Sequence, residues 1–328
     1  MTCHQVRLLL HGGDTMLGRA VQLTFLWQAP NEELIRDSTT AGTYLLMALH
    51  RPRDDPDAIS MQELQEIREE SADGSYLWGD YLTALSIHPA PDLRLLNLET
   101  AVTASITNAD VPHKGIHCHM HSDNLPLAFA RFATARFRGN GTPAQEGRDV
   151  ESPRQPSPYV VSMASSHALD FGRLAVENET LPALATLPGD ARVVGLGNSI
   201  RRAAKATCVL LLAPKMRHVS CIAVATVCSN VQKQSFRRQY AHRVIADLGV
   251  DLIYGHSSYH IRGLEIFHGK LIIYSAGDLM NDYESFTNPG DEAFNTLGAL
   301  FPVDLNERDG SLAQLCLVPT SVHQLQLR

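Results

Sequence analysis

Residues 5–19 read Gln-Val-Arg-Leu-Leu-Leu-His-Gly-Gly-Asp-Thr-Met-Leu-Gly-Arg and join an apolar run to a double-glycine turn. The run over Gln5–His11 predicts a short buried strand, and the apolar periodicity over Met16–Phe25 predicts a helix after it. Strand, glycine turn and helix in this order place Asp14 at the carboxyl end of the strand. Because ligands bind at that edge of open α/β sheets, Asp14 is a candidate site residue.

Polar side chains follow three later strand-like runs as well. They are Asn97 and Glu99 after Leu93–Leu96, His167 after Tyr159–Met163, and His256 after Leu252–Tyr254. Taken singly, an acidic residue in a turn or a histidine at a strand end is more often a satisfied polar side chain than a ligand. Because four such strand ends occur in one chain, a metal site and a set of satisfied polar side chains are equal alternatives. Carboxylate, imidazole and amide oxygen together suit Mn, Fe or Zn.

The composition is that of a globular protein and narrows the class of function. Of 328 residues, 44 % are apolar and 19 % are charged, and the net charge is −7. The acidic balance argues against an obligate nucleic-acid binder, which needs a basic surface. No apolar run approaches the roughly 18–20 residues of a membrane span. Six cysteines without paired spacing indicate reduced thiols, so we expect a cytoplasmic location.

The last third of the chain predicts one helix and two hairpins. The helix is Ser235–Leu248, with Phe236, Tyr240, Val244, Ile245 and Leu248 spaced to bury one face. The hairpins pair Leu264–Phe267 with Leu271–Tyr274, and Gly298–Leu305 with Ser311–Val318. Residues 137–157 are rich in Gly, Pro and charge and predict a disordered surface insertion.

Several blocks of the chain resemble the CapA family of capsule-synthesis (poly-γ-glutamate) proteins. In the family's order they are Gly13–Arg19, Asn97–Thr103, Ala164–Gly172, Gly195–Asn198, Gly255–His260, Gly263–Glu265, His268–Lys270 and Tyr274–Tyr283. The resemblance implies the fold class α/β, as a four-layer α/β/β/α sandwich like that of the calcineurin-like metallophosphoesterases. It also implies a single domain over residues 1–328, with a metal-binding cleft where the motif loops meet.

The resemblance further implies roles for individual residues. The implied metal ligands are Asp14, Asn97, Glu99 and His256, with His260 as a substitute ligand; the implied acid or base is His167; the implied substrate-side residues are Arg19, Lys114 and His121. A solvated helix arginine is an equal alternative for Arg19.

Three departures from the family pattern predict an eroded metal site. Ser165-Ser166-His167 stands where the family has Asn-Asn-His, so a hydroxyl replaces an amide oxygen. Tyr259 takes the place of a histidine, and His260, one residue later, has the opposite side-chain direction if the segment is a strand. The segment that begins at Cys228 lacks the family's histidine and tryptophan.

The stretch His113–His121 also carries three alternating histidines. If it is extended, His117, His119 and His121 share one face, which is compatible with metal or anion binding. An exposed edge segment is the favoured interpretation.

These observations leave three hypotheses open. The first is a metal-dependent hydrolase of a phosphoester or an amide or γ-glutamyl-type bond, with an anionic small-molecule or polymer substrate. The second is a catalytically degenerate relative that binds a ligand or partner without turnover, since metal sites need nearly their full ligand set. The third is a chain with segments missing, suggested by residues 137–157 and by a short connection between Thr207 and Ile222.

Overall fold

The computed structural model describes residues 5–30, 35, 37, 39–51, 59–104, 106, 115–138, 156–197, 222–226, 234–284 and 295–328. Lys114, Cys228 and residues 139–155 of the predicted insertion lie outside this part of the chain.

The described residues form a mixed α/β fold. The strands are β1 (Gln5–Thr15), β2 (Leu93–Leu98), β3 (Ala101–Thr103), β4 (His119–His121), β5 (Tyr159–Ser162), β6 (Ala191–Val194), β7 (Ile222–Thr226), β8 (Leu252–His256), β9 (Leu264–Phe267), β10 (Lys270–Ile273), β11 (Asp278–Met280), β12 (Leu297–Asn306), β13 (Leu312–Leu315), β14 (Val318–His323) and β15 (Gln326–Leu327). The α-helices are α1 (Arg19–Leu23), α2 (Ala41–Ala48), α3 (Met61–Glu70), α4 (Tyr81–Leu85), α5 (Asn124–Ala133), α6 (Gly172–Ala175), α7 (Leu181–Leu184) and α8 (Gln234–Leu248). A 3₁₀ turn spans Tyr76–Trp78, and a π-helical turn, Val176–Thr180, joins α6 to α7.

Nine of the described strands form one sheet in the order β15-β14-β12-β1-β2-β5-β6, with β11 also paired to β1 and β13 to β12. β1 runs parallel to β2 and antiparallel to β12. A second sheet has the order β7-β8-β10-β9, and β3 pairs with β4. Both predicted hairpins are confirmed, because β9 pairs antiparallel with β10 and β12 with β13.

Alternation along the strands divides the apolar core between two faces of the large sheet. Leu9 and Val161 belong to a cluster that includes residues of α1, α2, α4, α5 and α7. Leu8 and Leu10 point the other way. They belong to a second cluster that also contains Leu252 and Leu271 of the second sheet. The two sheets therefore share an apolar core.

The opposite face of the second sheet packs against α8. Ala241, Val244 and Ile245 of this helix join Ile253 and Ile272 in a third apolar cluster. The helix is confirmed, but the predicted buried face is wrong in part. Phe236, Tyr240 and Leu248 are exposed. Tyr240 lies in the middle of α8 next to buried Ala241 and still faces solvent, so the buried stripe of this helix is narrower than the predicted face.

The double glycine lets β1 approach the turn before β11 closely. A Cβ added to Gly13 would lie 1.9 Å from the carbonyl oxygen of Gly277, so no larger residue fits there. The Asp14 N–H donates to that same carbonyl, at 3.0 Å. The extended backbone continues beyond Asp14, since the Met16 N–H donates to the carbonyl of Met280. For this reason α1 begins at Arg19, and the predicted helix start at Met16 is wrong.

No helix among the described residues combines the length and apolar character required to cross a bilayer.

Candidate functional site

Neighbouring strand ends bring polar side chains together at one edge of the large sheet. Asp14 of β1 lies opposite Asn97 of β2 and opposite Asp278 of β11. Glu99 follows β2 directly, and His256 ends β8 of the second sheet. None of these five residues is more than 2 % exposed. The predicted ligands Asp14, Asn97, Glu99 and His256 therefore occupy one buried place, which we call the central cluster together with Asp278.

The central cluster is held by short polar contacts. Asn97 Nδ2 donates to Asp14 Oδ1 at 2.9 Å and to Glu99 Oε2 at 2.8 Å. His256 Nδ1 lies 3.1 Å from Asp14 Oδ1 and 3.8 Å from Glu99 Oε2. Asp14, Glu99 and His256 each offer one ligand atom, and these three atoms lie within 4.8 Å of one another. Two carboxylates and an imidazole at this spacing could hold one divalent cation.

Three buried atoms of the central cluster have no hydrogen-bond partner: Asn97 Oδ1, His256 Nε2 and Asp278 Oδ1. An unsatisfied buried polar atom costs about 1–3 kcal/mol, so such groups call for a physical reason. Each of these atoms is of a type that ligates Mn, Fe or Zn. The residues present therefore fit a divalent cation.

Burial and mutual repulsion disfavour the charged forms of two carboxyl groups. Burial raises the pKa of Glu99, and the Asp14 charge raises it further, against the opposing effects of His256 and Ser166. Burial and the Asp14 charge also raise the pKa of Asp278 well above its usual range, although Asn281 donates to it. A cation bound among these groups would favour their ionised forms.

Asp278 is a site residue that sequence reasoning missed. It lay within a block matched to the CapA family but was given no role. The available signal was the repetition of one pattern, because Gly277-Asp278-Leu-Met matches Gly13-Asp14-Thr-Met in three of four positions. Both aspartates stand at strand ends that pair with each other. Paired strands with the same motif place equivalent side chains next to each other.

His167 lies near the central cluster and carries a charge partner of its own. Its Nδ1 lies 2.7 Å from Oδ2 of Asp170, which also accepts from the Cys118 N–H at 2.7 Å. Burial lowers the pKa of His167, but the hydrogen bonds with Asp170 and the Cys118 thiol outweigh it and raise the pKa to about 10. His167 is therefore an imidazolium at neutral pH. Asp170 and Cys118 had been given no role from sequence.

Arg19 is buried, not solvated. Its guanidinium forms a two-pronged ion pair with Asp282, through Nε at 3.1 Å and through one terminal nitrogen. The guanidinium carbon also lies 4.2 Å from the ring centre of Tyr44 and 5.0 Å from that of Tyr283. The other terminal nitrogen is buried without a partner. The alternative of a solvated helix arginine is wrong.

A cleft of about 540 Å³ lies beside Arg19. Residues of α1, of the segment that leads into α2, and of β4 and the segment before it line the cleft, among them Gln22, Thr40, His117 and His119. The unpartnered nitrogen of Arg19 could meet an anionic group there, since guanidinium N–H groups donate to carboxylate and phosphate oxygens.

Comparisons with known proteins found a matching family model and two similar relatives. A family model described as "Bacterial capsule synthesis protein PGA_cap" matches residues 228–283. Two proteins of Mycobacterium tuberculosis, from strains CDC 1551 and H37Rv, are each named "Probable polyglutamine synthesis accessory protein". Each is 26 % identical over 374 aligned residues, covering 98 % of this chain and 86 % of the relative. These matches support a CapA-family protein and agree with the resemblance seen in the sequence.

The family model covers only part of the central cluster. The matched range contains His256, Asp278 and the Arg19 partner Asp282. Asp14, Asn97 and Glu99 lie outside it, and they reach the site through the parallel pairing of β1 and β2 and the turn after β2. The match to the two relatives extends over nearly the whole chain, so it covers both halves of the cluster.

One departure from the CapA pattern, Ser166, supplies hydrogen-bond donors to the central cluster, and Ser257 supplies another. The N–H and hydroxyl of Ser166 donate to Glu99 Oε1 at 3.0 and 2.9 Å. Ser257 Oγ donates to Glu99 Oε2 at 3.2 Å. Tyr259 has a positive φ of 61° and is exposed. His260 is in neither of the two metal-compatible groups found in the described part of the chain, and its role as a ligand stays a prediction.

The three alternating histidines are buried, so the expectation of an exposed edge segment is wrong. His117 Nδ1 lies 2.6 Å from Asp37 Oδ1, and His119 Nε2 lies 3.1 Å from the carbonyl of Thr103. His121 stacks on Trp27 and accepts the N–H of Asp123. The predicted substrate-side role of His121 stays a prediction, and that of Lys114 falls outside the described residues.

Proposed function

We propose that this chain is a metal-dependent hydrolase of the CapA type. The bond cleaved is a phosphoester or an amide or γ-glutamyl-type bond, in an anionic small-molecule or polymer substrate. One observation carries the proposal: Asp14, Glu99 and His256 place three buried ligand atoms within 4.8 Å, beside buried acceptors that no other group satisfies.

The proposed ligands of the divalent cation are Asp14, Glu99 and His256, with Asn97 Oδ1 and Asp278 as further oxygen ligands. Oxygen and imidazole ligands suit Mn, Fe or Zn. A cation held here would lower the pKa of water toward neutrality, which is the chemistry hydrolysis requires.

The roles of the chain's own residues follow from their charges and partners. His167 carries a second proton besides the one on the nitrogen that faces Asp170, so it can protonate a leaving group. Arg19, fixed by Asp282, directs its unpartnered nitrogen to an anionic group of the substrate. His121 and Lys114 stay proposed substrate-side residues. The cleft beside Arg19 is large enough for a substrate of small-molecule size.

The proposed architecture is the four-layer α/β/β/α sandwich. Three apolar clusters support it: one joins helices to the large sheet, one joins the two sheets, and one joins α8 to the second sheet. We also propose a single domain over residues 1–328 and a cytoplasmic location.

A specific observation favours a second candidate, a CapA-fold protein that binds a ligand or partner without turnover. The amide of Asn97 and the hydroxyls of Ser166 and Ser257 already donate to the carboxylates of the central cluster. Donors supplied by the chain can stabilise buried carboxylates without a cation.

Metal content decides between the two candidates. The protein would be purified without chelator, supplied with Mn²⁺ or Zn²⁺, and measured by plasma mass spectrometry beside Asp14→Ala. The hydrolase proposal expects the wild type to hold at least one equivalent more than the variant. Asp304→Asn is the control, since Asp304 pairs with Arg7 in the N-terminal half of β1. Equal metal in folded wild type and Asp14→Ala would leave only the binding candidate.

A further inference from the structure

A second group of ligand-type side chains lies apart from the central cluster. His50 follows α2, Glu284 follows β11, and His323 ends β14. One ligand atom from each lies within 4.8 Å of the others. Within the described residues, this group and the central cluster are the two that meet this spacing. All three residues lie outside the range matched by the family model.

The distances in this group suit a shared cation better than hydrogen bonds. His323 Nδ1 lies 3.5 Å and His50 Nε2 lies 3.9 Å from the same oxygen, Glu284 Oε1. A hydrogen bond between nitrogen and oxygen spans about 2.7–3.2 Å, which is shorter than either separation. Ligands around tetrahedral Zn²⁺, bonded at about 2.0–2.2 Å, lie about 3.3 Å apart. Small side-chain movements would bring both imidazoles to that spacing.

The carboxylate of this group is fixed and the imidazoles are accessible. Glu284 Oε2 accepts the Leu325 N–H at 3.1 Å, which leaves Oε1 between the two histidines. The Glu284 side chain is 3 % exposed, whereas those of His50 and His323 are 52 % and 56 % exposed. A buried anion that faces two accessible imidazoles forms a site that a cation can enter from solvent.

We propose that His50, Glu284 and His323 bind one Zn²⁺ ion, with water as the fourth ligand. Two neutral imidazoles and one carboxylate are a ligand set that zinc accepts with one position open. The ion would join the end of α2, the segment after β11 and the end of β14, which are distant in sequence. Glu284 is two residues from Asp282, so the ion would also stabilise the segment that holds Arg19. The inference does not depend on the hydrolase proposal.

The test is a count of bound Zn²⁺ on the full chain by isothermal titration and plasma mass spectrometry. The variants are the double change His50→Gln with His323→Gln, the central-cluster change Asp14→Asn, and all three together. Both histidines are exposed, so the double variant should fold. We expect the double variant to bind one equivalent of Zn²⁺ less than the wild type. We expect the triple variant to bind one equivalent less than Asp14→Asn alone.

A matched control separates this site from general histidine binding. His242→Gln with His268→Gln also removes two imidazoles, one of which contacts the Glu265 carboxylate, and it should leave the Zn²⁺ count unchanged. In Asp14→Asn, Zn²⁺ at one hundred times its Kd should raise the Tm by about 4 °C, and the His50 and His323 changes should abolish that rise.

The two proposals fail in different ways. Equal Zn²⁺ counts for the wild type and the His50/His323 double variant would overturn the surface site. Loss of one equivalent in that variant with no loss in Asp14→Asn would support the surface site and overturn a zinc ion at the central cluster.

Discussion

The central cluster and the surface group of His50, Glu284 and His323 contain the same kinds of side chain in opposite surroundings. Every residue of the central cluster is almost fully buried, whereas two of the three surface residues are about half exposed. Burial raises the pKa values of Glu99 and Asp278, so these two carboxyl groups resist ionisation without a cation. The imidazoles of the surface group keep contact with water, so we expect little cost to the fold when this group holds no metal.

The two groups also differ in how the chain positions them. Paired strands fix Asp14, Asn97 and Asp278, and the pairing sets which side chains face one another. The surface residues come from one strand end and two connecting segments. Sites on strands hold geometry more precisely than sites on loops. The central cluster is therefore suited to chemistry, and the surface group is suited to joining segments.

The largest expected effect comes from the buried ion pair between Arg19 and Asp282. Asp282→Asn leaves a buried guanidinium without its counter-charge and should cost about 3–5 kcal/mol of unfolding free energy. Asp304→Asn breaks a similar two-pronged pair with Arg7, whose side chain is 31 % exposed, and should cost about 1 kcal/mol or less. Urea unfolding of both variants measures the difference. Equal losses would show that burial does not determine the strength of this pair.

The next effect concerns metal affinity at the central cluster. Asp14→Asn removes one ligand charge and should weaken Mn²⁺ or Zn²⁺ binding there by about a hundredfold or more. The same change removes a charge that raises the pKa values of Glu99 and Asp278. The chelator-treated variant should therefore be at least as stable as the chelator-treated wild type. Titration calorimetry and thermal unfolding measure the two quantities, and a variant that is less stable without metal contradicts the repulsion argument.

A smaller effect depends on pH and concerns His167. Its folded pKa, about 10, lies above the unfolded value of about 6.5. The ion pair with Asp170 therefore stabilises the fold fully below about pH 6.5, and this stabilisation is lost as the pH rises through about 10. Asp170→Asn should cost about 1.5–3 kcal/mol at pH 6 and progressively less toward pH 10. Urea unfolding over this range measures the loss, and a loss that does not change with pH contradicts the assignment.

The central cluster could be predicted from sequence because its signals are local. A strand followed directly by a polar residue marks Asp14, Asn97 and Glu99, and parallel pairing brings such ends together. The same reasoning predicted the two hairpins, which depend on a turn of a few residues. It missed Asp278, because a short strand between two turns gives little apolar pattern.

The surface group could not be predicted in the same way. His50, Glu284 and His323 stand alone in sequence, without a motif or a regular spacing. These three residues come close together only through tertiary packing, which places the end of α2, the segment after β11 and the end of β14 next to one another. The prediction of the buried face of α8 was wrong in part for a similar reason. Helical spacing shows which apolar side chains lie on one side of the helix, but it does not show how much of that side the rest of the fold will cover.

The smallest expected effect is that of the surface histidines without metal. Exposed side chains away from special features change the free energy of unfolding by about 0.5 kcal/mol or less, so His323→Gln in chelator should fall within this range. Glu284→Gln should cost about 1 kcal/mol, because it weakens a buried hydrogen bond from the Leu325 N–H. Urea unfolding in chelator and with Zn²⁺ measures both variants. A loss above about 1 kcal/mol for His323→Gln in chelator would show that the imidazole already stabilises the fold through Glu284. With Zn²⁺ present, the two variants should lose the same further amount of stability relative to chelator, since each removes one ligand of the same ion.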